Sequence, residues 1–137
     1  MQKLFSYETL AILSPRHALA RKPFLEPQDF ADELLISYPV DASMLDVVRH
    51  FLAPAGVTAK RRPAELTVAI LQLVASGRGI AALPEWSVAS YLERGYVIGK
   101  PLGAAGLRCD LFAAIPESLA AKPFMLDFMS KLGPGGA

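Results

Sequence analysis

Residues 66–84 read LTVAILQLVASGRGIAALP and place a helix, a turn and a strand in direct succession. Residues 66–75 are apolar nearly all round, with Thr67 and Gln72 as the polar exceptions, which predicts a buried helix. The Ser-Gly-Arg-Gly turn that follows ends this helix, and the Ile-Ala-Ala-Leu run then predicts a strand that stops at Pro84. A helix that leads through a glycine turn into an apolar strand is typical of an α/β domain.

The same alternation of strands and helices extends along the rest of the chain. The expected strands are residues 9–13, 34–38, 57–60, 80–83, 96–98 and 109–115. The expected helices are residues 27–32, 43–56, 66–75, 85–94 and 123–132. The glycine-rich tail at 133–137 is expected to be flexible. Alternation of this kind predicts an α/β domain with a largely parallel sheet.

Composition and charge limit the classes of function. The chain has 137 residues, enough for one domain, and 53% of them are hydrophobic while 20% are charged, which excludes a disordered chain. Fourteen Lys and Arg against thirteen Asp and Glu leave a net charge of +1, without the basic excess that nucleic-acid binding normally needs. The basic cluster at residues 60–62 is interpreted as a solubilising strand edge.

The sequence carries no signal for a membrane or for secretion. No run of eighteen or more apolar residues is present, and the first residues lack the apolar core of a signal peptide. Cys109 is the single cysteine, which excludes an internal disulfide and a multi-cysteine metal site. We therefore expect a cytoplasmic protein without a membrane partner.

Signals for catalysis are few. The candidate nucleophiles and bases are His17, His50 and Cys109, and each also has a structural interpretation. His17 is interpreted as a loop residue, His50 as a solvated helix residue and Cys109 as a small hydrophobic strand residue. The Gly-Arg-Gly segment at 77–79 lacks the third glycine of a dinucleotide-binding fingerprint and precedes a strand instead of a helix. We expect no enzyme activity, no catalytic residue, no cofactor and no bound metal.

Two expected helix starts are candidates for binding an anion. Ser43 and Asp46 form an S-x-x-D pattern, a variant of the capping box, which predicts the start of one helix. Asp41 with these two residues also suits a phosphate or metal loop, but the helical apolar pattern that begins directly afterwards favours capping. The second start lies near Leu66. Each follows a strand end, where backbone N–H groups and the helix dipole favour a carboxylate and where open α/β sheets bind ligands.

Two segments resemble the effector-binding domains of LysR-type transcriptional regulators. The strand and S-P-x-H-P-L-A turn of that family resemble LAILSPRHALA at residues 10–20, with Ala18 where proline is common. The family's V-A-x-G-x-G-I-A-x-L-P segment resembles LVASGRGIAALP at residues 73–84. The chain is therefore identified as similar to this family over about residues 4–132.

Within the family, residues 38–56 and 81–86 are similar to regulators of methionine biosynthesis that respond to homocysteine, although a His is expected where Glu85 stands. The resemblance implies a type 2 periplasmic-binding-protein-like fold, an α/β fold in which two subdomains enclose a ligand cleft. It implies further that residues 1–132 form a partial effector-binding domain, with the second subdomain complete and the first incomplete. The expected effector is a homocysteine-like amino acid.

The resemblance also implies the other partners. DNA is contacted only through an N-terminal helix-turn-helix that is absent from this chain, so we expect no sequence-specific DNA binding by the chain alone. A homo-oligomer is expected because an incomplete subdomain leaves apolar surface exposed. Two alternatives stay open. A periplasmic-type solute-binding protein for a small amino acid or anion needs a secretory signal, and a small enzyme needs a nucleophile or base at a strand end.

The walls of the ligand cleft follow from the resemblance together with the strand-end rule. The expected ligand-binding residues are Tyr38, Pro39, Val40, Asp41 and Ser43 at the end of the second strand, and Glu65, Leu66 and Thr67 at the helix start. The hydroxyls of Ser43 and Thr67 and the backbone N–H groups beside them suit a carboxylate.

Overall fold

The computed structural model describes residues 2–113. Within this range the strands are Gln2–Leu13 (β1), Leu34–Ser37 (β2), Lys60–Pro63 (β3), Ala81–Pro84 (β4), Ile98–Pro101 (β5) and Leu107–Ala113 (β6). The α-helices are Thr67–Ala75 (α1) and Glu85–Glu93 (α2). The expected helix at 123–132 and the expected flexible tail at 133–137 lie outside the described residues, as does the end of the expected strand at 109–115.

Shorter helical segments fill several connections. They are 3-10 turns at Ala18–Arg21, Pro27–Phe30, Ala42–Met44 and Ala53–Ala55, and a π-helical segment at Val48–Leu52. Residues 46–55 are helical without interruption and are referred to below as the 46–55 helix. This helix ends at Gly56, as expected, where a φ of 71° requires the conformational freedom of glycine. Among the described residues, neither α-helix is long and apolar enough to cross a lipid bilayer.

Strand β1 lies at the centre of a four-stranded sheet and pairs antiparallel with three strands. Its residue Leu10 lies opposite Leu83 of β4 and opposite Pro101 of β5, so these two strands occupy opposite edges of β1. Thr9 lies opposite Pro84 of β4 and opposite Leu107 of β6. Strands β5 and β6 therefore follow one another along the same edge of β1.

Strands β2 and β3 extend this sheet on the β4 side. They pair in parallel, and β2 approaches the start of β4 through two backbone hydrogen bonds. The Ile36 N–H donates to the Ile80 carbonyl at 2.8 Å, and the Ile80 N–H donates to the Leu34 carbonyl at 2.9 Å. Strands β2, β3, β4 and β5 consequently run in one direction, and β1 runs against all of them.

The expectation of a largely parallel sheet is wrong for the ladders of β1. Residues 9–13 are apolar, and that pattern correctly predicts a strand covered on both faces. Burial on both faces is common in parallel sheets, but helices on both sides of the sheet bury an antiparallel strand equally well. The sequence pattern therefore indicates that β1 is buried, but it does not indicate whether β1 runs parallel or antiparallel to its neighbours.

The first half of β1 extends beyond the ladder with β4. Residues 2–8 of β1 pair with residues 108–113 of β6 and, within the described part of the chain, with no other strand. These two segments form a two-stranded ribbon, referred to below as the ribbon, that leaves one end of the sheet. A ribbon of only two strands is marginally stable by itself, so its position depends on side-chain contacts with the body of the domain.

Two hydrophobic clusters cover the two faces of the sheet. Successive strand residues point to opposite faces, so Leu35 belongs to one cluster and Ile36 to the other. The Leu35 cluster includes Phe30 and two residues of the 46–55 helix, Val47 and Leu52. The other cluster is formed with α1 and α2 and is composed of Ile12, Ile36, Ile70, Leu71, Val74, Ala81, Leu83, Val88 and Val97. The domain thus has a sheet between two helical layers.

Helix α1 differs from the expectation of burial all round. Its buried residues are Ile70, Leu71 and Val74, whereas Val68 is 49% exposed and Leu66, just before the helix, is 68% exposed. A helix on the outside of a sheet can bury one face only. Apolar residues on the other face therefore remain at the surface, and composition alone does not reveal which ones.

Strand β4 begins at Ala81, next to the expected start, whereas β3 and β5 begin further along the chain than expected. Strand β3 begins at Lys60 because that residue lies opposite Leu34, the first residue of β2, so residues 57–59 have no partner in that ladder. Strand β5 begins at Ile98 because the Tyr96 N–H donates to the Tyr91 carbonyl at 3.1 Å and thereby closes the end of α2.

Candidate functional site

A small cavity of about 150 Å³ lies where β2 and β4 end, and it is referred to below as the strand-end cavity. It is lined by Thr9, Ser37, Tyr38, Met44, Leu45, Asp46, Val47, Ala82, Leu83 and Pro84. Strands β2 and β4 are neighbours that run in the same direction, and the crevice outside the carboxyl ends of such strands is where α/β sheets bind ligands. A cavity of this volume suits a small molecule or part of one.

The strand end and the helix start that were expected to bind ligand contact each other. The hydroxyls of Tyr38 and Thr67 are hydrogen-bonded, which joins the end of β2 to the first residue of α1. Only one of the two hydroxyl protons is used in this bond, so the other is available to an anion. No side chain caps α1 at Leu66, and the Thr67 hydroxyl bonds to Tyr38 instead of to its own helix.

Arg61 of β3 holds the loop that follows β2. Its Nε donates to Ser37 Oγ at 3.0 Å, and its Nη2 donates to the carbonyls of Tyr38 at 3.0 Å and Val40 at 2.7 Å. The planar guanidinium presents several donors in a fixed arrangement, which the single ammonium of lysine does not reproduce. The shape of the loop that contains Pro39 and Val40 therefore depends on Arg61.

Replacing Arg61 by lysine is expected to loosen this loop. The change keeps the charge but removes the forked donor set, so we expect a loss of about 1–2 kcal/mol in the free energy of unfolding. Hydrogen exchange of the Val40 amide, which donates to the Tyr38 carbonyl, is expected to accelerate. The exposed neighbour Arg62 provides the control. Equal effects of Arg61→Lys and Arg62→Lys would contradict the role given to Arg61.

The expectation that Ser43 caps a helix through an S-x-x-D box is wrong. Asp41 is the capping residue of the turn Ala42–Met44, and its carboxylate accepts from the Ser43 N–H at 2.9 Å and from the Ser43 hydroxyl at 2.7 Å. These two bonds, together with the nearby Arg61 guanidinium, hold the pKa of the Asp41 carboxyl below its usual value. Ser43 is thus a donor to Asp41, and Asp46 is not its partner.

Of the expected binding residues, Tyr38 lines the strand-end cavity and Thr67 contacts it through Tyr38. The other six are exposed and do not line it: Pro39, Val40, Asp41, Ser43, Glu65 and Leu66. Their place in the site stays a prediction. The lining residues that the sequence did not indicate as a binding wall come from β1, from the last residue of β2, from β4 and from residues 44–47.

Asp46 is the residue at this site that sequence reasoning assigned differently. Its Oδ2 accepts from the Tyr7 hydroxyl at 2.7 Å, which joins the 46–55 helix to the ribbon. Its Oδ1 lies 3.5 Å from Arg49 Nη2. The S-x-x-D pattern singled out Asp46, but its actual partner Tyr7 is 39 positions away in the chain and no local pattern connects the two.

The ribbon contributes further polar and aromatic groups next to the cavity. Burial, and then the hydrogen bond to Asp46, raise the pKa of the Tyr7 phenol far above its usual value, so the phenol remains a donor. Burial also raises the pKa of the Cys109 thiol, whose sulfur lies 3.7 Å from Thr9 Oγ1. Trp86, at the start of α2, contacts the ring of Phe5 edge to face at a centroid distance of 5.9 Å.

The two histidines lie away from the strand-end cavity. His17 Nδ1 accepts from the Leu19 N–H at 3.0 Å, and its Nε2 lies 2.6 Å from Glu33 Oε1, so the ring caps a turn. His50 is exposed and accepts a hydrogen bond from Arg49. Within residues 2–113, no group of three or more His, Cys, Asp or Glu side chains is placed to hold a metal ion.

Comparison with known proteins gives a consistent family. The model of the family described as LysR substrate binding domain matches residues 1–134. The chain is 45% identical over 125 residues to the HTH-type transcriptional regulator MetR of Haemophilus influenzae, and 44% identical over 120 residues to that of Escherichia coli K12. These alignments cover 91% and 88% of this chain but only 40% and 38% of the relatives, so the chain spans about two fifths of their length.

Solved structures agree with the sequence comparison. The regulatory domain of MetR from N. meningitidis is 47% identical with a TM-score of 0.83, over 93% of this chain and 61% of that one. The effector binding domain of QuiR, solved with shikimate, has a TM-score of 0.69 over 95% of this chain and 65% of that one. At 21% identity this second likeness concerns the fold alone. Together they confirm the expected type 2 periplasmic-binding-protein-like α/β fold.

Proposed function

Because the chain belongs to the LysR substrate-binding domain family, we propose that it is the effector-sensing part of a LysR-type transcriptional regulator of methionine biosynthesis. The observation that carries this proposal is the likeness to the MetR regulatory domain of N. meningitidis, at 47% identity and a TM-score of 0.83. The curated relatives are transcriptional regulators, which favours this role over a solute-binding protein or an enzyme.

The proposed effector is a homocysteine-like amino acid, and its carboxylate binds at the start of α1. The Tyr38 and Thr67 hydroxyls meet there, next to backbone N–H groups that no side chain caps. The helix dipole contributes roughly 0.3–1 kcal/mol to binding an anion at such a position. Direct hydrogen bonds to a charged ligand contribute about 1.5–3 kcal/mol each, before the cost of ordering the ligand. The small strand-end cavity accommodates the remainder of the molecule.

The proposed mechanism is a shift between two arrangements of the regulator. In this mechanism the chain supplies the second subdomain and part of the first, and the ribbon leads from one to the other. An effector that bridges the cleft binds one arrangement better than the other. Only this difference in affinity changes the proportion of regulator molecules in each arrangement. The protein acts as a homo-oligomer in the cytoplasm and contacts DNA through a helix-turn-helix that is not part of this chain.

Replacing Thr67 by valine in the full-length regulator tests the carboxylate site. Valine has nearly the shape of threonine but no hydroxyl, so we expect the affinity for L-homocysteine to fall by about tenfold. The free energy of unfolding is expected to change by less than about 1.5 kcal/mol, the contribution of one hydrogen bond. Isothermal titration calorimetry measures the affinity, and urea unfolding measures the stability.

The matched control is Thr67→Ser, which retains the hydroxyl and is expected to retain most of the affinity. If Thr67→Val binds L-homocysteine as tightly as the unsubstituted protein does, Thr67 is not part of the site. If the unsubstituted protein binds no L-homocysteine at all, the proposed effector is wrong.

A further inference from the structure

The strand-end cavity has one formally charged residue in its lining. Its other polar side chains are the hydroxyls of Thr9, Ser37 and Tyr38, and the remaining residues are apolar. Thr9 and Ser37 are already engaged, with the Cys109 sulfur and with Arg61 respectively. The carboxylate of Asp46 is therefore the group through which this cavity can distinguish a cationic ligand from a neutral one.

The Asp46 carboxylate is held in place but retains capacity for another donor. The Tyr7 hydroxyl donates to one oxygen at 2.7 Å, and the Cys109 thiol is a second hydrogen-bond partner of the carboxylate. Arg49 lies 3.5 Å from the other oxygen. A carboxylate accepts about four hydrogen bonds in all. The side chain of Asp46 is 27% exposed and that of Arg49 is 57% exposed, so Arg49 extends towards solvent while Asp46 remains at the cavity.

We propose that Asp46 accepts the ammonium group of a zwitterionic α-amino acid bound in the strand-end cavity. This inference rests on the proposed function and adds the residue that selects amino acids over simple carboxylic acids. Tyr38 lines the same cavity, and its hydroxyl together with that of Thr67 is assigned to the ligand carboxylate, so the two ends of the zwitterion have separate partners. The apolar lining, which includes Leu45 and Leu83, contacts the side chain of the ligand.

An ammonium group suits this arrangement better than a metal ion does. A protein site for Ca²⁺ usually supplies most of about six to eight oxygen ligands, several of them from carboxylates, whereas the cavity offers one carboxylate beside hydroxyls that are mostly engaged. An ammonium group needs few acceptors, and a hydrogen bond between it and a carboxylate is charge-assisted and strong. A zwitterion also adds no net charge to a cavity that already contains one carboxylate.

The test compares two ligands that differ only in the amino group. L-homocysteine and γ-mercaptobutyrate, which is homocysteine without its amino group, are titrated under reducing conditions into the full-length regulator and into its Asp46→Asn variant. We expect the unsubstituted protein to bind L-homocysteine about 10- to 100-fold more tightly than γ-mercaptobutyrate, as one hydrogen bond between charged groups implies. In Asp46→Asn this preference is expected to fall to less than about threefold.

The control is Tyr7→Phe, which removes the hydrogen bond from the ribbon and leaves the Asp46 carboxylate in place. We expect this variant to keep the preference for L-homocysteine. If Tyr7→Phe abolishes the preference as completely as Asp46→Asn does, Asp46 acts by positioning the ribbon and the proposal is overturned. If Asp46→Asn does not fold, the unsubstituted protein alone still tests the proposal, because equal affinity for the two ligands overturns it.

The outcomes separate this inference from the proposed function. If the unsubstituted protein prefers L-homocysteine to γ-mercaptobutyrate and Asp46→Asn shows the same preference, the inference is overturned. The proposed function then still stands. Absence of L-homocysteine binding by the unsubstituted protein overturns both.

Discussion

Replacing Gly79 by alanine is expected to lower the free energy of unfolding by about 3 kcal/mol, the upper end of the range for overpacking a core. A Cβ at this position would lie 2.5 Å from the Leu34 carbonyl oxygen and 2.9 Å from Ile36 Cδ1. The first of these atoms belongs to the backbone and accepts the hydrogen bond from Ile80 that joins β2 to β4. The clash can be relieved only by separating the two strands.

Gly77→Ala is the matched control for this prediction. Gly77 has a φ of +80° but no atom within 4 Å of an added Cβ, so the control measures backbone strain alone, about 1–2 kcal/mol. Urea unfolding, monitored by circular dichroism, measures the loss of unfolding free energy in each of the two variants. If Gly79→Ala lost no more unfolding free energy than Gly77→Ala, the contact between β2 and β4 would be looser than described.

The Gly79 effect bears on function because β2 and β4 form the strand-end cavity with their carboxyl ends. Separating these strands changes the distance between Tyr38, after β2, and Pro84, at the end of β4. We therefore expect any folded Gly79→Ala protein to bind the proposed effector more weakly than Gly77→Ala does. The second glycine of the Ser-Gly-Arg-Gly turn is thus required for close approach and not for an unusual φ.

Local signals account for the part of the fold that the sequence predicted well. Short runs of residues indicate where helices α1 and α2 start. The glycines at positions 56 and 95 indicate where the 46–55 helix and α2 end. Gly95 has a φ of 69°, which only glycine adopts without strain, so this signal has a direct physical cause. The ends of β3 and β5 depended on partner strands and were misplaced.

The sequence indicated the lining of the strand-end cavity only in part, for the same reason. Tyr38 and Thr67 were both indicated because each lies at a strand end or helix start, which a local pattern shows. The contact between Asp46 and Tyr7 joins residues far apart in the chain, and nothing near either residue in the sequence indicates the other. The S-x-x-D pattern assigned Asp46 to helix capping, whereas Asp41 supplies the cap and leaves Asp46 at the cavity.

Replacing Leu71 by alanine is expected to cost about 3–5 kcal/mol of unfolding free energy, as large-to-small changes in well-packed cores do. Leu71 is fully buried in the cluster between α1 and the sheet, so its truncation leaves a cavity that the surrounding strands cannot fill. Val68 on the same helix is 49% exposed, and Val68→Ala is expected to cost less than about 1 kcal/mol. Equal losses at the two positions would contradict the packing of α1 against the sheet.

Leu71→Ala and Thr67→Val together separate stability from binding along α1. Leu71 lies in the middle of α1 and packs on the sheet, whereas Thr67 is the first residue of the helix and contacts Tyr38. We expect Leu71→Ala to unfold at lower urea but to bind L-homocysteine nearly normally while folded, and Thr67→Val to show the reverse. If Leu71→Ala lost affinity in proportion to stability, the position of the α1 start would depend on the core beneath it. The carboxylate site would then be a property of the packed helix as a whole and not of the Thr67 hydroxyl.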